Sequence, residues 1–225
     1  MIGSPWRQAV LVPRKFVERC LSFGDRFVDH FDHGGSPQSR AYTMNNAHKN
    51  HALQSFGKVG EVAAALFFGL DPEATILWKT SQGPDDGHDF VVNGIRVDSK
   101  TSYPKGNLIW PLSKNAIYLS KKFDVMVSVS VSREDYTHCW IEGYIPKYEF
   151  FARKQIAEPG FSNLQPGTWF MAKHILYDPQ ELFDDRALIR HAIRSGHQFE
   201  YISGRSSNAQ AVVGMGKINK CSRRF

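Results

Sequence analysis

Cysteine is scarce in this chain, and its placement excludes several classes of protein. The three cysteines, Cys20, Cys139 and Cys221, are far apart, and no two form a CxxC pair. Such a set gives neither the disulfide framework of a small secreted domain nor a cysteine zinc site. It favours a reducing compartment, so we expect a cytoplasmic protein.

Long apolar runs and phosphate-binding loops are also absent. No segment approaches the roughly 18 apolar residues of a membrane span, and no apolar leader follows the opening residues. Neither GxGxxG nor a complete Walker A motif occurs. The sequence therefore predicts a soluble protein with no membrane partner and no ATP-driven chemistry.

Positive charge exceeds negative charge, mostly at one end of the chain. Lys and Arg total 28 against 22 Asp and Glu, which gives a net charge of +6 and a pI of about 9.2. Cationic surfaces attract polyphosphates, which favours a nucleic-acid partner. Residues 203–225 carry five Lys and Arg and no acid, so we predict a basic, mobile tail there. Residues 1–202 are predicted to form one domain, with a core over about 45–177 and a helical extension before it.

Apolar spacing predicts the secondary structure. One helix should run from Pro13 to the breaker cluster at 34–37, and a second from about Asn46 to Phe68, ending at Gly69. Other expected elements are strands at 75–79, 108–110, 123–131, 138–145 and 168–175, and helices at 113–122, 147–156 and 179–195. This mixture predicts an α/β fold with a central mixed sheet flanked by helices.

A hairpin in the middle of the chain has side chains suited to metal-dependent chemistry. The Asn93-Gly94 dipeptide, which favours a tight turn, joins strands predicted at 89–92 and 95–98. Asp98 and Lys100 are two residues apart and therefore point to the same face, while Asp89 begins the partner strand. Two carboxylates at one end of a hairpin can hold a hard cation such as Mg²⁺. An ordinary exposed Asp–Lys pair is the alternative.

The lysine of this motif has two candidate roles. The Lys100 ammonium could orient an attacking water and help to deprotonate it, or it could neutralise charge that develops on a phosphate. Glu61 is the only charged residue of the apolar helix segment 59–70. A buried carboxylate is unfavourable unless it is paired, protonated or bound to a metal. Glu61 is therefore expected to meet a nearby lysine or arginine, the helix dipole, or the same cation.

Taken together, these residues resemble the PD-(D/E)XK nuclease superfamily, which includes many restriction endonucleases. The likeness covers about residues 55–145 and rests on GKVGEVAAALFFG, GPDDGHDFVVNGIRVDSKTSY and FDVMVSVSV. It implies a restriction-endonuclease-like core in the order α-β-β-β-α-β. It also implies Mg²⁺ or Mn²⁺ held by Asp89 and Asp98, with Glu61 as a direct or water-mediated ligand and Lys100 completing the catalytic set.

The resemblance leaves the first acid open between Asp89 and the neighbouring acids Asp85 and Asp86, which share a turn-forming stretch. Pro84-Asp85 spells the dipeptide that opens the family motif, whereas Asp89 begins the predicted strand. We prefer Asp89, because Asp85 lies in a turn-forming stretch where acids are commonly solvated. Gln82 and His88 are candidates to line the same site.

Basic residues on both sides of the motif are candidates for phosphate contacts. They are Arg40, Lys49, Lys58, Lys105 and Lys114, and Lys121 follows in the same stretch as Lys105 and Lys114. That stretch also contains Tyr103 and Trp110, a mixture typical of a nucleic-acid groove, although core aromatics on a solvated face are the alternative. His48 and His51, one helical turn apart, raise a zinc site as a further alternative.

The sequence thus predicts a magnesium-dependent deoxyribonuclease, a hydrolase that acts on DNA as an endonuclease. Nothing in it separates DNA from RNA, because base contacts come from side-chain geometry that spacing does not reveal. One site cuts one strand, so coordinated double-strand cleavage would require a homodimer. The rival hypothesis is a nucleic-acid-binding protein that keeps this fold without cutting.

Overall fold

The computed structural model describes residues 4–34, 47–78, 87–104, 108–109, 121–160 and 166–184. In chain order its elements are β1 (Gln8–Leu11), α1 (Arg14–Gly34), α2 (Ala47–Phe67), α3 (Pro72–Thr75), β2 (Phe90–Val92), β3 (Ile95–Ser102), β4 (Leu108–Ile109), β5 (Val125–Val131), β6 (His138–Pro146), α4 (Lys147–Arg153), β7 (Gln155–Ile156) and β8 (Trp169–Ala172), followed by 3₁₀ helices at Lys173–Ile175 and Pro179–Phe183. Within these ranges, no helix has the length and apolar character that crossing a bilayer requires. The predicted tail at 203–225 lies outside the described residues.

Five strands form the main sheet, in the spatial order β1-β6-β5-β3-β2. Strands β3 and β5 run parallel, and the other neighbours are antiparallel. A parallel pair needs a crossover connection of about a dozen residues or more, which residues 103–124 supply. The helix predicted at 113–122 falls in this crossover, but residues 113–120 lie outside the described part of the chain. The mixed sheet with its helices confirms the α/β class.

Two apolar cores lie on opposite faces of the sheet. The larger core packs α1 and α2 against Val125, Val127 and Val129 of β5. The smaller core packs Met126, which points the other way, against Phe150 of α4. Every residue of β5 is buried, and its serines, Ser128 and Ser130, alternate with the valines of the larger core.

The β2–β3 hairpin forms as predicted. Asn93 and Gly94 have φ values of 48° and 82°, the left-handed conformations that such a tight turn requires. Asp89 directly precedes β2, and its amide donates to the Val97 carbonyl of β3 at 2.8 Å. The hairpin therefore brings its two acids to the same end of the sheet.

The two long helices also confirm their predictions. Helix α1 ends at Gly34, and α2 ends at Phe67, just before Gly69. Gly69 has a φ of 70°, and its amide donates to the Leu66 carbonyl at 3.0 Å, which closes the helix in the left-handed way that glycine favours. Helices α1 and α2 pack against each other beside the sheet.

The strand predicted at 75–79 was wrong for the residues that the structure describes. Asp71 and Pro72 start the short helix α3 instead, because the Asp71 carboxylate accepts a hydrogen bond from the Glu73 amide at 3.0 Å and Pro72 occupies the first turn. The chain then folds back, and the Trp78 indole donates to the Pro72 carbonyl at 3.1 Å. Residue 79 lies outside the described residues.

Other elements differ from prediction in extent or partner. Strand β4 pairs with β8 in a second sheet of order β4-β8-β7 instead of extending the main one. The helix predicted at 147–156 ends at Arg153, and the strand predicted at 168–175 becomes a 3₁₀ helix at Lys173. Residues 185–195 of the last predicted helix lie outside the described residues. Strand β1, which the sequence did not predict, pairs with β6 at the sheet edge.

Candidate functional site

Three elements supply the four predicted catalytic residues. Glu61 lies on α2, Asp89 directly precedes β2, and Asp98 and Lys100 lie in β3. Asp98 and Lys100 share one face of their strand, as the period of two predicted, and they contact each other. The hairpin and the helix therefore meet at these residues.

A helix glycine sets the close packing of α2 on β3. A Cβ added at Gly60 would lie 1.9 Å from Thr101 Oγ1, so only glycine allows this approach. The Thr101 hydroxyl also donates to the Gly57 carbonyl at 3.4 Å. Since Glu61 follows Gly60 and Lys100 precedes Thr101, the contact places these two charged residues within electrostatic range of each other.

Two lysines face the carboxylate of Asp98, whose side chain is only 1% exposed. Lys100 Nζ lies 2.5 Å from Asp98 Oδ2, and Lys121 Nζ lies 3.9 Å from Asp98 Oδ1. Lys121 comes from the far end of the crossover, which is why its spacing along the chain gave no sign of this contact. The alternative of an ordinary exposed Asp–Lys pair is therefore wrong, because the side chains of Asp98 and Lys100 are only 1% and 18% exposed.

Ser99, the middle residue of the Asp-x-Lys motif, orients the other hairpin acid. Its amide and its hydroxyl both donate to Asp89 Oδ2 at 2.7 Å. Burial raises the pKa of Asp89, and the charge of Asp98 raises it further, against the opposing effects of Lys100 and the Ser99 hydrogen bonds. Asp89 and Asp98 are thus close enough to repel each other.

Glu61, the only charged residue of its apolar helix segment, is paired with Lys58. Lys58 Nζ lies 2.5 Å from Glu61 Oε2, and the two side chains are 10% and 17% exposed. Burial raises the pKa of Glu61 to about 8, and the charge of Asp89 adds to this effect against Lys58 and Lys100. Lys58, predicted as a phosphate contact, is therefore engaged with Glu61, and Glu61 belongs to the same electrostatic cluster as the hairpin acids.

The surroundings of Lys100 set its charge in the metal-free site. Burial alone would lower the pKa of its ammonium, but the carboxylates of Asp98 and Asp89 outweigh burial and raise the pKa above its ordinary value. An ammonium with a raised pKa stays protonated at neutral pH and cannot accept a proton from water. In the metal-free site, Lys100 is therefore an ammonium paired with Asp98.

The cluster combines three acids with three lysines and offers oxygen donors of the type that Mg²⁺ prefers. Its acids are Glu61, Asp89 and Asp98, and its lysines are Lys58, Lys100 and Lys121. In the described part of the chain, no three or more His, Cys, Asp or Glu side chains are arranged to hold a metal ion together. Mg²⁺ commonly needs only one or two protein carboxylates, with water and substrate supplying the rest, so the mutually repelling pair Asp89 and Asp98 fits such a cation.

Other predicted site residues lie outside the described residues. They are Arg40, Gln82, Asp85, Lys105 and Lys114, together with the side chains of His48, Lys49 and His51 at the start of α2. His88 is described, and its Nδ1 is buried without a hydrogen-bond partner among the described residues. His88 directly precedes Asp89 in the chain.

A second polar cluster, which the sequence did not predict, lies farther along the face of β3 that carries Asp98. Lys173 Nζ donates to Ser102 Oγ at 2.7 Å and to Ser130 Oγ at 2.9 Å. Ser130 donates to Glu142 Oε1 at 2.6 Å. Burial lowers the pKa of Lys173 to about 8, although Glu142 opposes this effect. The cluster links β3, β5 and β6. Its β3 member, Ser102, lies two residues after Lys100 and on the same face of the strand.

Comparisons of the chain with protein-family models, with curated proteins and with solved structures found no significant match.

Proposed function

We propose that this protein is a metal-dependent nuclease of the PD-(D/E)XK type that hydrolyses phosphodiester bonds of DNA as an endonuclease. The observation that carries the proposal is the buried pair of Asp98 and Lys100, with Asp89 across the hairpin and Glu61 supplied by α2. The order of α2, β2, β3, the crossover and β5 is consistent with a restriction-endonuclease-like core. An isolated surface ion pair would not bring a third and a fourth charged group to the same place.

Each residue has a role that its surroundings permit. Asp89 and Asp98 would hold Mg²⁺ or Mn²⁺, with Glu61 as a direct or water-mediated ligand. A divalent cation supplies an activated water and stabilises charge on the phosphate. Ser99 fixes the orientation of the Asp89 carboxylate through two hydrogen bonds.

Two lysines would neutralise charge on the substrate. Lys100 is an ammonium in the metal-free site and would face the phosphate oxygens as negative charge develops in the transition state. The side chain of Lys121 is 30% exposed against 18% for Lys100, so it reaches closer to solvent and would meet a neighbouring phosphate. In this division of roles, Lys100 would contact the reacting phosphate, and Lys121 would contact the backbone of the same strand.

A cleavage assay tests the proposal. Supercoiled plasmid, short duplexes and single-stranded oligonucleotides would be incubated with Mg²⁺, Mn²⁺ or EDTA. We expect cleavage with either metal, none in EDTA, and a loss of about 100- to 1,000-fold in Asp98→Asn and in Lys100→Met, as is common when a charge-stabilising group is removed. Asp71→Asn is the matched control, because asparagine also caps a helix and Asp71 serves α3 rather than the site.

A nucleic-acid-binding protein that does not cut is the competing proposal. The pairing of Glu61 with Lys58 and of Asp98 with Lys100 favours it, because ammonium groups already compensate these acids. Binding of oligonucleotides in EDTA, with no cleavage in Mg²⁺ or Mn²⁺, would support this competing function. Cleavage that survives unchanged in Asp98→Asn would instead place the active site elsewhere.

A further inference from the structure

A pocket of about 380 Å³ opens where β3 ends and β5 turns into β6. Tyr103, Pro104, Ser132, Arg133 and Glu134 line it. Its volume falls in the range of small-molecule binding sites, which is about 300–1,000 Å³. The mechanism proposed above uses none of these residues.

The wall of the pocket is a stacked pair of planar groups. The Arg133 guanidinium lies 3.7 Å from the centroid of the Tyr103 ring. Tyr103 in turn packs against Phe56 of α2, with the two ring centroids 4.4 Å apart and the ring planes tilted by 36°. Phe56 and Arg133 therefore cover the two faces of the Tyr103 ring. Aromatic rings and guanidinium planes are the surfaces on which unpaired nucleobases stack in nucleic-acid-binding proteins.

Hydrogen bonds hold the turn that presents Arg133. The Ser132 amide donates to the His138 carbonyl at 2.8 Å, and the Glu134 amide donates to Ser132 Oγ at 3.3 Å. The Asp135 carboxylate accepts from the amide and the hydroxyl of Thr137 at 3.0 and 2.7 Å. A turn fixed in this way loses little freedom when a ligand binds, which favours affinity.

The pocket lies within a few nucleotides of the candidate active site. Tyr103 follows Lys100 by three residues, a distance of about 10 Å along an extended chain. Phe56 precedes Glu61 by five residues of helix, about 7.5 Å. A stacked strand rises about 3.4 Å per nucleotide, so roughly three nucleotides separate the two places.

The charges of the pocket favour a base over a phosphate. Arg133 and Glu134 are neighbours with opposite charges, and both are exposed. The Glu134 carboxylate would repel a phosphate but can accept a hydrogen bond from the amino group of a base, as glutamate does with cytosine. Thymine has no such amino group.

We propose that this pocket binds one unpaired nucleobase that carries an exocyclic amino group, stacked on the Arg133 guanidinium, which itself lies on the Tyr103 ring, while the strand continues into the active site. The inference rests on the proposed function, because it assigns nucleic acid with a single-stranded segment as the substrate class. It predicts a preference for cytosine or adenine over thymine at the position that enters the pocket.

The test measures stacking in EDTA, where no cleavage interferes. The full chain would be titrated with single-stranded oligonucleotides that carry 2-aminopurine at successive positions, with quenching of its fluorescence as the sign of stacking and anisotropy as the measure of Kd. We expect quenching at one position, and single-strand binding about 5- to 150-fold weaker in Tyr103→Leu and in Arg133→Lys. Arg133→Lys keeps the charge and removes the planar group, so its effect separates stacking from simple attraction.

Two further variants keep the test sharp. Tyr103 packs against the core, so Tyr103→Phe, which retains the ring, should bind normally and shows that loss in Tyr103→Leu comes from stacking. Arg153→Lys is the matched control, because Arg153 is a half-exposed arginine on α4, across the sheet from α2. Equal single-strand affinity in the wild type and in Arg133→Lys would overturn the pocket assignment.

Failure of this inference and failure of the proposed function give different results. Metal-dependent cleavage with no position-specific quenching would overturn the base pocket and leave the nuclease. Quenching that depends on Arg133 and Tyr103, without cleavage in any metal, would overturn the nuclease and leave a single-strand-binding protein. The absence of both cleavage and position-specific quenching would overturn the nuclease and the base pocket together.

Discussion

A double-mutant cycle on Asp98 and Lys100 separates a catalytic pair from a merely structural one. The two charged groups are 2.5 Å apart, and their side chains are 1% and 18% exposed, so solvent screens them little. At an effective dielectric constant of about 20, unit charges at this separation attract by roughly 7 kcal/mol, from which the loss of hydration of both ions must be subtracted. Removing one partner leaves the other charge buried, and we expect Asp98→Asn and Lys100→Met each to lower the free energy of unfolding by about 3–5 kcal/mol.

The double variant should recover most of the lost stability. With both charges removed, neither group is left uncompensated, and replacing a buried ion pair by neutral side chains is often neutral or stabilising. Urea denaturation of the wild type, the two single variants and the double variant gives the coupling energy. The exposed pair Arg14 and Glu18, with side chains 73% and 65% exposed, is the control, and its coupling should not exceed about 0.5 kcal/mol.

In this double-mutant cycle, the double variant should regain stability without regaining cleavage activity. If Asp98 and Lys100 act on the substrate, the double variant is folded but as inactive as either single variant, because groups that work as a unit are not additive. A double variant that cleaves at the wild-type rate would refute the catalytic assignment. Additive effects of the two substitutions on stability would refute the buried pair itself.

Three further outcomes test the surroundings of the site. Gly60→Ala should lower the free energy of unfolding by about 1–3 kcal/mol, because its Cβ would meet Thr101, whereas Gly57→Ala has open space and should gain up to about 1 kcal/mol in the same urea titration. In metal-free buffer, the free energy of unfolding of the wild type should fall as pH rises from 4.5 to 8, by up to about 1.4 kcal/mol per pH unit relative to Glu61→Gln. The reason is that the raised pKa of Glu61 makes the folded state bind one more proton than the unfolded state in this window. Equal slopes in the two proteins would contradict the raised pKa. The pH dependence that Lys173 contributes has the opposite sign, because its lowered pKa means that the unfolded state binds more protons between pH 8 and 10.5. The free energy of unfolding of the wild type should therefore rise with pH across that window relative to Lys173→Met. Parallel titrations of the two proteins would contradict the lowered pKa of Lys173.

Local signals made the hairpin predictable. Asn93-Gly94 fixes a two-residue turn, and the period of two then assigns Asp98 and Lys100 to one face. The charge of Glu61 in an apolar helix also required a partner, and the structure supplies Lys58. In each case the deciding interaction lies within a few residues along the chain.

Contacts between distant segments were beyond the reach of spacing. Lys121 meets Asp98 only because the crossover returns β5 to the side of β3. Lys173 reaches Ser102 across 71 residues of sequence. No periodicity encodes such contacts, because they depend on how the elements pack. The helix start at Asp71 is different, since an Asp-Pro pair followed by Glu73 is a capping signal that the sequence does contain.

One helix–strand contact determines the geometry of both the candidate active site and the base pocket. Gly60 meets Thr101; on one side of this contact lie Glu61 and Lys100, and on the other side lie Phe56 and Tyr103, which pack against each other. A shift of α2 away from β3 would therefore separate the acids of the cluster and tilt the Tyr103 ring at the same time. A substitution at Arg133, which lies on the β5–β6 turn, touches only the pocket. If cleavage and base stacking occur on one strand of nucleic acid, Gly60→Ala should impair both activities together, whereas Arg133→Lys should impair stacking and leave cleavage of a fully paired duplex intact.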